Sequence, residues 1–159
     1  MSTLSLSRDH PLRVLLVFVA AVVVTALVGS LFSVSAGDEY LGLRRPGWAP
    51  PAWLFGPVWT ALYGLIALSG WLAWRNGAQR GELALFGAQL VLNAAWTPLF
   101  FGLGWYEAAF AEIIVLWLTV VTLIVVFSWR SKTAAVLLAP YLAWVSFAGA
   151  LNISIAVLN

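Results

Sequence analysis

Five long apolar runs, almost free of charge, divide this chain. They are Val14–Ser35, Leu54–Trp74, Leu83–Tyr106, Ala108–Trp129 (interrupted once, by Glu112) and Thr133–Asn159. A helix needs about 20 apolar residues to cross the hydrocarbon core of a bilayer, and each run meets that length. Membrane barrels would instead show ~10-residue segments of alternating polarity, and the sequence has no such pattern. The runs predict an all-α membrane protein: a bundle of five transmembrane helices at about 12–34, 52–75, 82–103, 106–129 and 133–157, with a structured first loop. The connections are too short to hold a second unit, so residues 1–159 read as one transmembrane domain. Only 9% of the residues are charged, against about 25% in soluble domains. Too little polar surface exists to face water all round, so the solvent must be lipid.

The same counts exclude several functions. There is no cysteine, which removes disulfides, zinc–thiolate centres and thiol nucleophiles. The net charge of +2 comes from scattered basic residues, without the dense patch that nucleic acid requires. The single histidine, His10, has no Ser/Asp companion set, no pair of carboxylates occurs within the runs, and no phosphate-cradling glycine motif is present.

Arg8 and Arg13 precede the first run, and Ser33–Ala36 has the small residues of a cleavage site. Signal-peptide cores are about 7–15 residues long; this run is longer and reads as a retained helix. With five spans, one side of the membrane receives Arg8, Arg13, Arg75, Arg80, Arg130 and Lys132, and the other only Arg44 and Arg45. The positive-inside rule then places the N-terminus inside and the first loop outside. Without a cleaved signal, a bacterial cell membrane is the expected location.

The first loop, about residues 36–52, is long for a connection between helices, and such loops are usually functional or disordered. Pro46, Pro50 and Pro51 stiffen it, and each holds the residue before it extended. Pro51 suits the first turn of the second helix; Pro57, expected farther inside, should loosen the backbone there. Trp48 and Trp53 read either as headgroup anchors or as walls of a site. Trp59 lies deeper, with Tyr63 at i+4 on the same face.

Two other helices carry polar-aromatic faces. Gln89, Asn93, Trp96 and Phe100 share one face, which Pro98 bends or ends; Tyr141, Trp144, Ala148 and Asn152 share another, just after Pro140. Polar side chains within a bilayer either glue helices together or face a cavity. Ala135, Ala139 and Ala143 form a small-residue stripe suited to close helix packing or dimerisation. Glu107 and Glu112 open the fourth helix, where interfacial depth and snorkelling make charge tolerable.

The stretches "EYLGLRRPGWAPPAWLFGPVWTALYG", "LNAAWTPLFFG" and "PYLAWVSFAGALN", in that order, resemble the tryptophan-rich sensory protein and translocator protein (TspO/MBR) family, whose eukaryotic members are also called peripheral benzodiazepine receptors. The match runs from about Gly37; the first helix fits by hydrophobicity alone. The resemblance implies five helices per protomer, usually a homodimer, and a pocket at the outer-loop end of the bundle with the first loop folded over it. It implies a porphyrin-type ligand (protoporphyrin IX or haem) and no required cofactor. By motif position the ligand-binding residues are Tyr40, Pro46, Trp48, Trp59, Asn93, Trp144, Ala148 and Asn152. Trp59 and Trp144 fall where some bacterial members are tied to light-dependent porphyrin breakdown. Many relatives have Trp-Tyr where this chain has Glu39-Tyr40, and a different residue at Gly47. The sterol motif at the end of the fifth helix is absent, although Val34…Tyr40…Arg44 fits the loose version of that pattern.

A porphyrin is a flat apolar ring with anionic propionates on one edge. It calls for aromatic faces in an apolar cleft and cations at the rim, which Trp48, Trp59 and Trp144, with Arg44 and Arg45, can supply. No metal site is expected, since the only histidine lies before the first helix. The expected function is a membrane tetrapyrrole receptor or sensor. A light-driven porphyrin-degrading enzyme and a transporter of porphyrins or small lipophiles are the rival readings.

Overall fold

The computed structural model describes residues 10–32 and 36–159. Arg8, and Ser33, Val34 and Ser35 of the small-residue tract, lie outside the described residues, as does the start of the sterol-type pattern. The described elements are all helical: α1 (Pro11–Leu31), α2 (Ala36–Gly42), a 3-10 turn (Ala52–Leu54), α3 (Phe55–Arg75), α4 (Arg80–Thr97), a π-helical turn (Pro98–Gly102), α5 (Tyr106–Ser128), α6 (Lys132–Leu137) and α7 (Ala139–Leu158). Five segments are long and apolar enough to cross a membrane: Pro11–Leu31, Ala52–Arg75, Arg80–Gly102, Tyr106–Ser128 and Lys132–Leu158. This is the five-helix membrane bundle that the apolar runs predict.

Prolines set where the helices start and break. Pro11 occupies the first turn of α1, where an N–H has no partner anyway. Pro57 lies in the first turn of α3 for the same reason, so the expected loosening does not occur. Pro51 precedes a single 3-10 turn, not the α-helix itself. Pro98 cannot donate to the carbonyl one turn back. The backbone widens there instead, and Leu103 N–H reaches Pro98 O at 2.9 Å. Gly104, at φ 64°, then turns the chain into α5. The fifth span is two helices, not the single helix expected over 133–157: Pro140 cannot serve the carbonyl of Val136, and the chain breaks at Leu138 between α6 and α7.

α5 packs against both α4 and α7, and α1 packs on α3 and α4. Ile66, Val120, Leu123, Phe127 and Leu138 are fully enclosed among them. Polar pins hold the ends. Trp71 donates through Nε1 to Pro11 O at 2.8 Å, with Arg75 stacked 4.8 Å over the indole. Glu82 caps α4 through the Gln79 N–H and pairs with Arg130 at 3.0 Å. Ser69 donates to Ala134 O at 2.7 Å, joining α3 to α6. The alanine stripe is divided by the Leu138 break: Ala135 is buried, and Ala139 and Ala143 are exposed.

The tightest approach is at Gly70 on α3. A Cβ there would lie 2.7 Å from the rings of both Phe18 and Phe86. Those rings are already in edge contact at 5.3 Å, and Phe86 also stacks on Phe127. Gly70→Val is expected to destabilise the bundle by about 1–3 kcal/mol. Gly64→Ala, on the same helix with nothing within 4 Å, should be neutral or stabilising by up to about 1 kcal/mol. Thermal unfolding in detergent compares the two.

Candidate functional site

A cavity of about 490 Å³ lies between the helices beneath the first loop. That volume is in the range of small-molecule sites, about 300–1,000 Å³. Its aromatic wall comes from α3 and α7. Trp59 and Tyr63, one turn apart on α3, have ring centroids 5.4 Å apart. Trp144 on α7 meets Trp59 edge to face, at 6.5 Å and 86°. Phe55 closes on Trp144 at 5.7 Å. Small residues add to the lining: Ala26, Gly29 and Ser30 from α1, and Ala148 from α7.

The polar groups of α4 reach both ways. Tyr63 Oη donates to Asn93 Oδ1 at 2.8 Å, Asn93 Nδ2 donates to Tyr141 Oη at 3.0 Å, and Tyr141 Oη donates to Gln89 Oε1 at 2.9 Å. Helix glue and cavity lining, two separate readings of Asn93, coincide: it joins α3 to α7 and also faces the cavity. Asn152 is spent on structure. It accepts from Trp96 Nε1 at 3.0 Å and donates to Tyr106 O at 2.8 Å.

The loop is held down at several points. Tyr40 of α2 is buried, donates to Pro50 O at 2.8 Å and meets Phe55 edge to face at 5.3 Å. Arg45 stacks 4.6 Å over the Tyr40 ring. Trp48 meets Phe147 at 5.7 Å. Asn159 exchanges two hydrogen bonds with the backbone of Arg44, each 3.0 Å. Ala36, Gly37 and Tyr40 form the loop end of the cavity wall.

Of the residues singled out from the sequence, Tyr40, Trp59, Tyr63, Asn93, Trp96, Trp144 and Ala148 line this cavity. Pro46, Trp48, Asn152, Arg44 and Arg45 lie outside its lining; Trp48 is half exposed, and Arg44 and Arg45 sit on the loop. The α1 contribution was not foreseen, because a uniformly apolar helix has no phase to read. Ile113 and Leu116 also line the cavity, and their spacing from Ala109 and Val120 was the available signal. Glu112 corrects an expectation: both carboxyl oxygens are buried without a hydrogen-bond partner among the described residues, so it does not snorkel. No group of three or more His, Asp or Glu that could hold a metal occurs among the described residues.

The sequence pattern of the TspO/MBR family matches residues 17–158. The chain belongs to the TspO/MBR family. It is 42% identical over 144 residues to the tryptophan-rich protein TspO of Archaeoglobus fulgidus, covering 89% of this chain and 94% of that one. It is 35% identical to protein CrtK of Rhodobacter capsulatus, over 90% of this chain and 91% of that one. It is 38% identical to the translocator protein of Homo sapiens, over 79% of this chain and 78% of that one. As a TspO/MBR member it is a multi-pass membrane protein of the translocator and sensory type. Its cavity draws on the Trp-rich stretches that carry the family likeness and, in addition, on α1.

Tyr40 makes the loop sensitive to alkali. Burial pushes its phenol above the ordinary value, and the adjacent Arg45 works against that shift. A raised folded value means the stabilisation is complete below the unfolded value of about 10 and is lost as pH rises through the folded value. The chain has no cysteine, and Gly47 has open space around it, so a nitroxide on Gly47→Cys reports loop mobility. The label is expected to loosen above about pH 10. In a Tyr40→Phe background it should be loose already, from losing a hydrogen bond worth about 1 kcal/mol, and should show no further alkaline step.

Proposed function

We propose that the protein is a membrane receptor or sensor for tetrapyrroles, with a porphyrin such as protoporphyrin IX or haem seated in the cavity under the first loop. The observation that carries this reading is the convergence of Trp59 and Trp144, from separate helices, on one partly open, mostly apolar cleft. Crossed indoles offer a flat conjugated ring both face and edge contacts. Tyr40 and Ala148 bound the same space. The propionates would extend toward Arg44 and Arg45, with Pro46 and Trp48 shaping the flap over the ring. Asn152 would act by holding Trp96 in place. The names of the relatives, sensory and translocator, fit a ligand-responsive membrane protein. Occupancy would shift the flap or the surface of a homodimer, in a bacterial cell membrane with the N-terminus inside.

A second reading draws on the same contact. A pair of indoles beside Tyr63 gives oxidisable side chains within reach of a photoexcited pigment, which supports light-dependent breakdown of the bound porphyrin. It needs proximity alone, and no acid–base residue.

Titration with protoporphyrin IX in nanodiscs, followed by tryptophan quenching, tests the receptor reading. The Trp59→Ala, Trp144→Ala double variant is expected to bind at least about tenfold more weakly. Unchanged affinity would remove the cavity as the binding site. Under light and oxygen, bleaching of bound pigment by the wild type but not by the double variant would favour the second reading.

A further inference from the structure

The hydrogen-bonded chain behind the cavity has an unusual property: each of its members can both donate and accept. Tyr63 and Asn93 are on the cavity wall, Tyr141 and Gln89 are buried behind it, and the three links measure 2.8, 3.0 and 2.9 Å. As oriented, every donor points away from the cavity. Tyr63 therefore presents oxygen lone pairs to the cavity, and the far end is Gln89 Nε2, buried without a partner. Turning both amides over and swinging both hydroxyl protons keeps all three heavy-atom distances. The chain then runs the other way: Gln89 Nε2 donates to Tyr141, Tyr141 to Asn93 Oδ1 and Asn93 Nδ2 to Tyr63, whose proton is released toward the cavity. The unpartnered atom becomes Gln89 Oε1. An under-used carbonyl oxygen is tolerated better than an orphaned N–H, so the reversed chain is no worse once the Tyr63 proton finds an acceptor.

We propose that Tyr63 is an amphoteric polar subsite of the cavity, accepting from or donating to one polar group of an otherwise apolar ring ligand, with Gln89 as the remote residue that lets its polarity reverse. This rests on the reading that a flat, mostly apolar ring occupies the cavity, and it specifies what that ring meets at Tyr63: a neutral group that can accept from or donate to one polar atom of the ring, apart from any charged groups directed toward the loop. Gln89 is a positioning residue, since it does not line the cavity.

Three tricyclic probes of nearly equal shape separate the cases: fluorene has no polar group, carbazole only an N–H donor, and 9-fluorenone only a carbonyl acceptor. Binding is read by tryptophan quenching in nanodiscs. The ratio of wild-type to Tyr63→Phe affinity for each probe cancels its partition into lipid. That ratio is expected to be about one for fluorene and about three- to tenfold for both carbazole and fluorenone. Gln89→Leu removes the acceptor that Tyr141 uses. The Tyr141 proton then turns to Asn93 Oδ1, which fixes Asn93 Nδ2 toward Tyr63 and leaves Tyr63 as a donor. This variant is expected to keep the fluorenone advantage and lose the carbazole one. If carbazole and fluorenone lose equally, or neither loses, Gln89 does not control polarity and the proposal is wrong. If wild type and Tyr63→Phe bind all three probes alike, or if no probe binds, the subsite itself is overturned. The comparison of wild type with Tyr63→Phe stands even if Gln89→Leu fails to fold. The outcome is independent of protoporphyrin: failure to bind porphyrin with the probe pattern intact would reject the tetrapyrrole reading alone.

Discussion

Hydrocarbon offers no hydrogen-bond partner, so a polar side chain within the bundle must find one in the protein. This constraint organises α4. Gln89, Asn93 and Trp96 share one face, and none of their bonds goes to α5, the helix that follows in sequence. Gln89 and Asn93 both bond Tyr141 of α7, Asn93 also bonds Tyr63 of α3, and Trp96 bonds Asn152 of α7. Apolar contact alone discriminates weakly between helix registers in lipid, because lipid tails are as apolar as the side chains. The bonds to Tyr63, Tyr141 and Asn152 set the heights of α3 and α7 against α4. The same heights bring Trp59 and Trp144 to face each other. The aromatic wall is thus a consequence of a polar seam one turn away.

The loop follows a different rule. Outside the hydrocarbon, Pro46, Pro50 and Pro51 lower the entropy that the segment loses on ordering. What then holds it is short-range and specific: the Tyr40 hydroxyl on Pro50, the Asn159 amide on the Arg44 backbone, and Trp48 against Phe147. Each is worth on the order of 1 kcal/mol. A segment held by several such weak contacts is within reach of small perturbations.

Charge-free runs bounded by Arg and Glu were enough to count and place the spans, because the cost of charge in lipid is large and local. The faces bearing Trp59 and Tyr63, Asn93 and Trp96, and Trp144 and Ala148 were legible for the same reason, as helical spacing fixes which side chains share a side. Helix α2 was not: Ala36–Gly42 is seven residues with one buried side chain, too short to show a period. Nor was the α1 wall, since Ala26, Gly29 and Ser30 matter through their small size in a helix that is apolar on every side. The inward turn of the Glu112 carboxyl depends on packing between helices, which spacing along one helix does not encode. The break before Pro140 was not expected from the sequence, and the position of Leu138 in it depends on how α6 closes against α3 through Ala134 and Ser69.

The buried polar atoms without partners among the described residues are Gln89 Nε2 and the two Glu112 oxygens. Each costs free energy that an apolar residue of similar size would not. They sit near the cavity: Gln89 ends the chain that begins on its wall at Tyr63, and Glu112 precedes the lining residue Ile113. The rest of the interior is well satisfied, with Ser69, Asn93, Tyr141 and Asn152 all bonded. Unpartnered polar atoms in an otherwise paired interior are expected where function rather than stability sets the residue, and here one of them, Gln89 Nε2, ends the hydrogen-bonded chain that joins α3, α4 and α7.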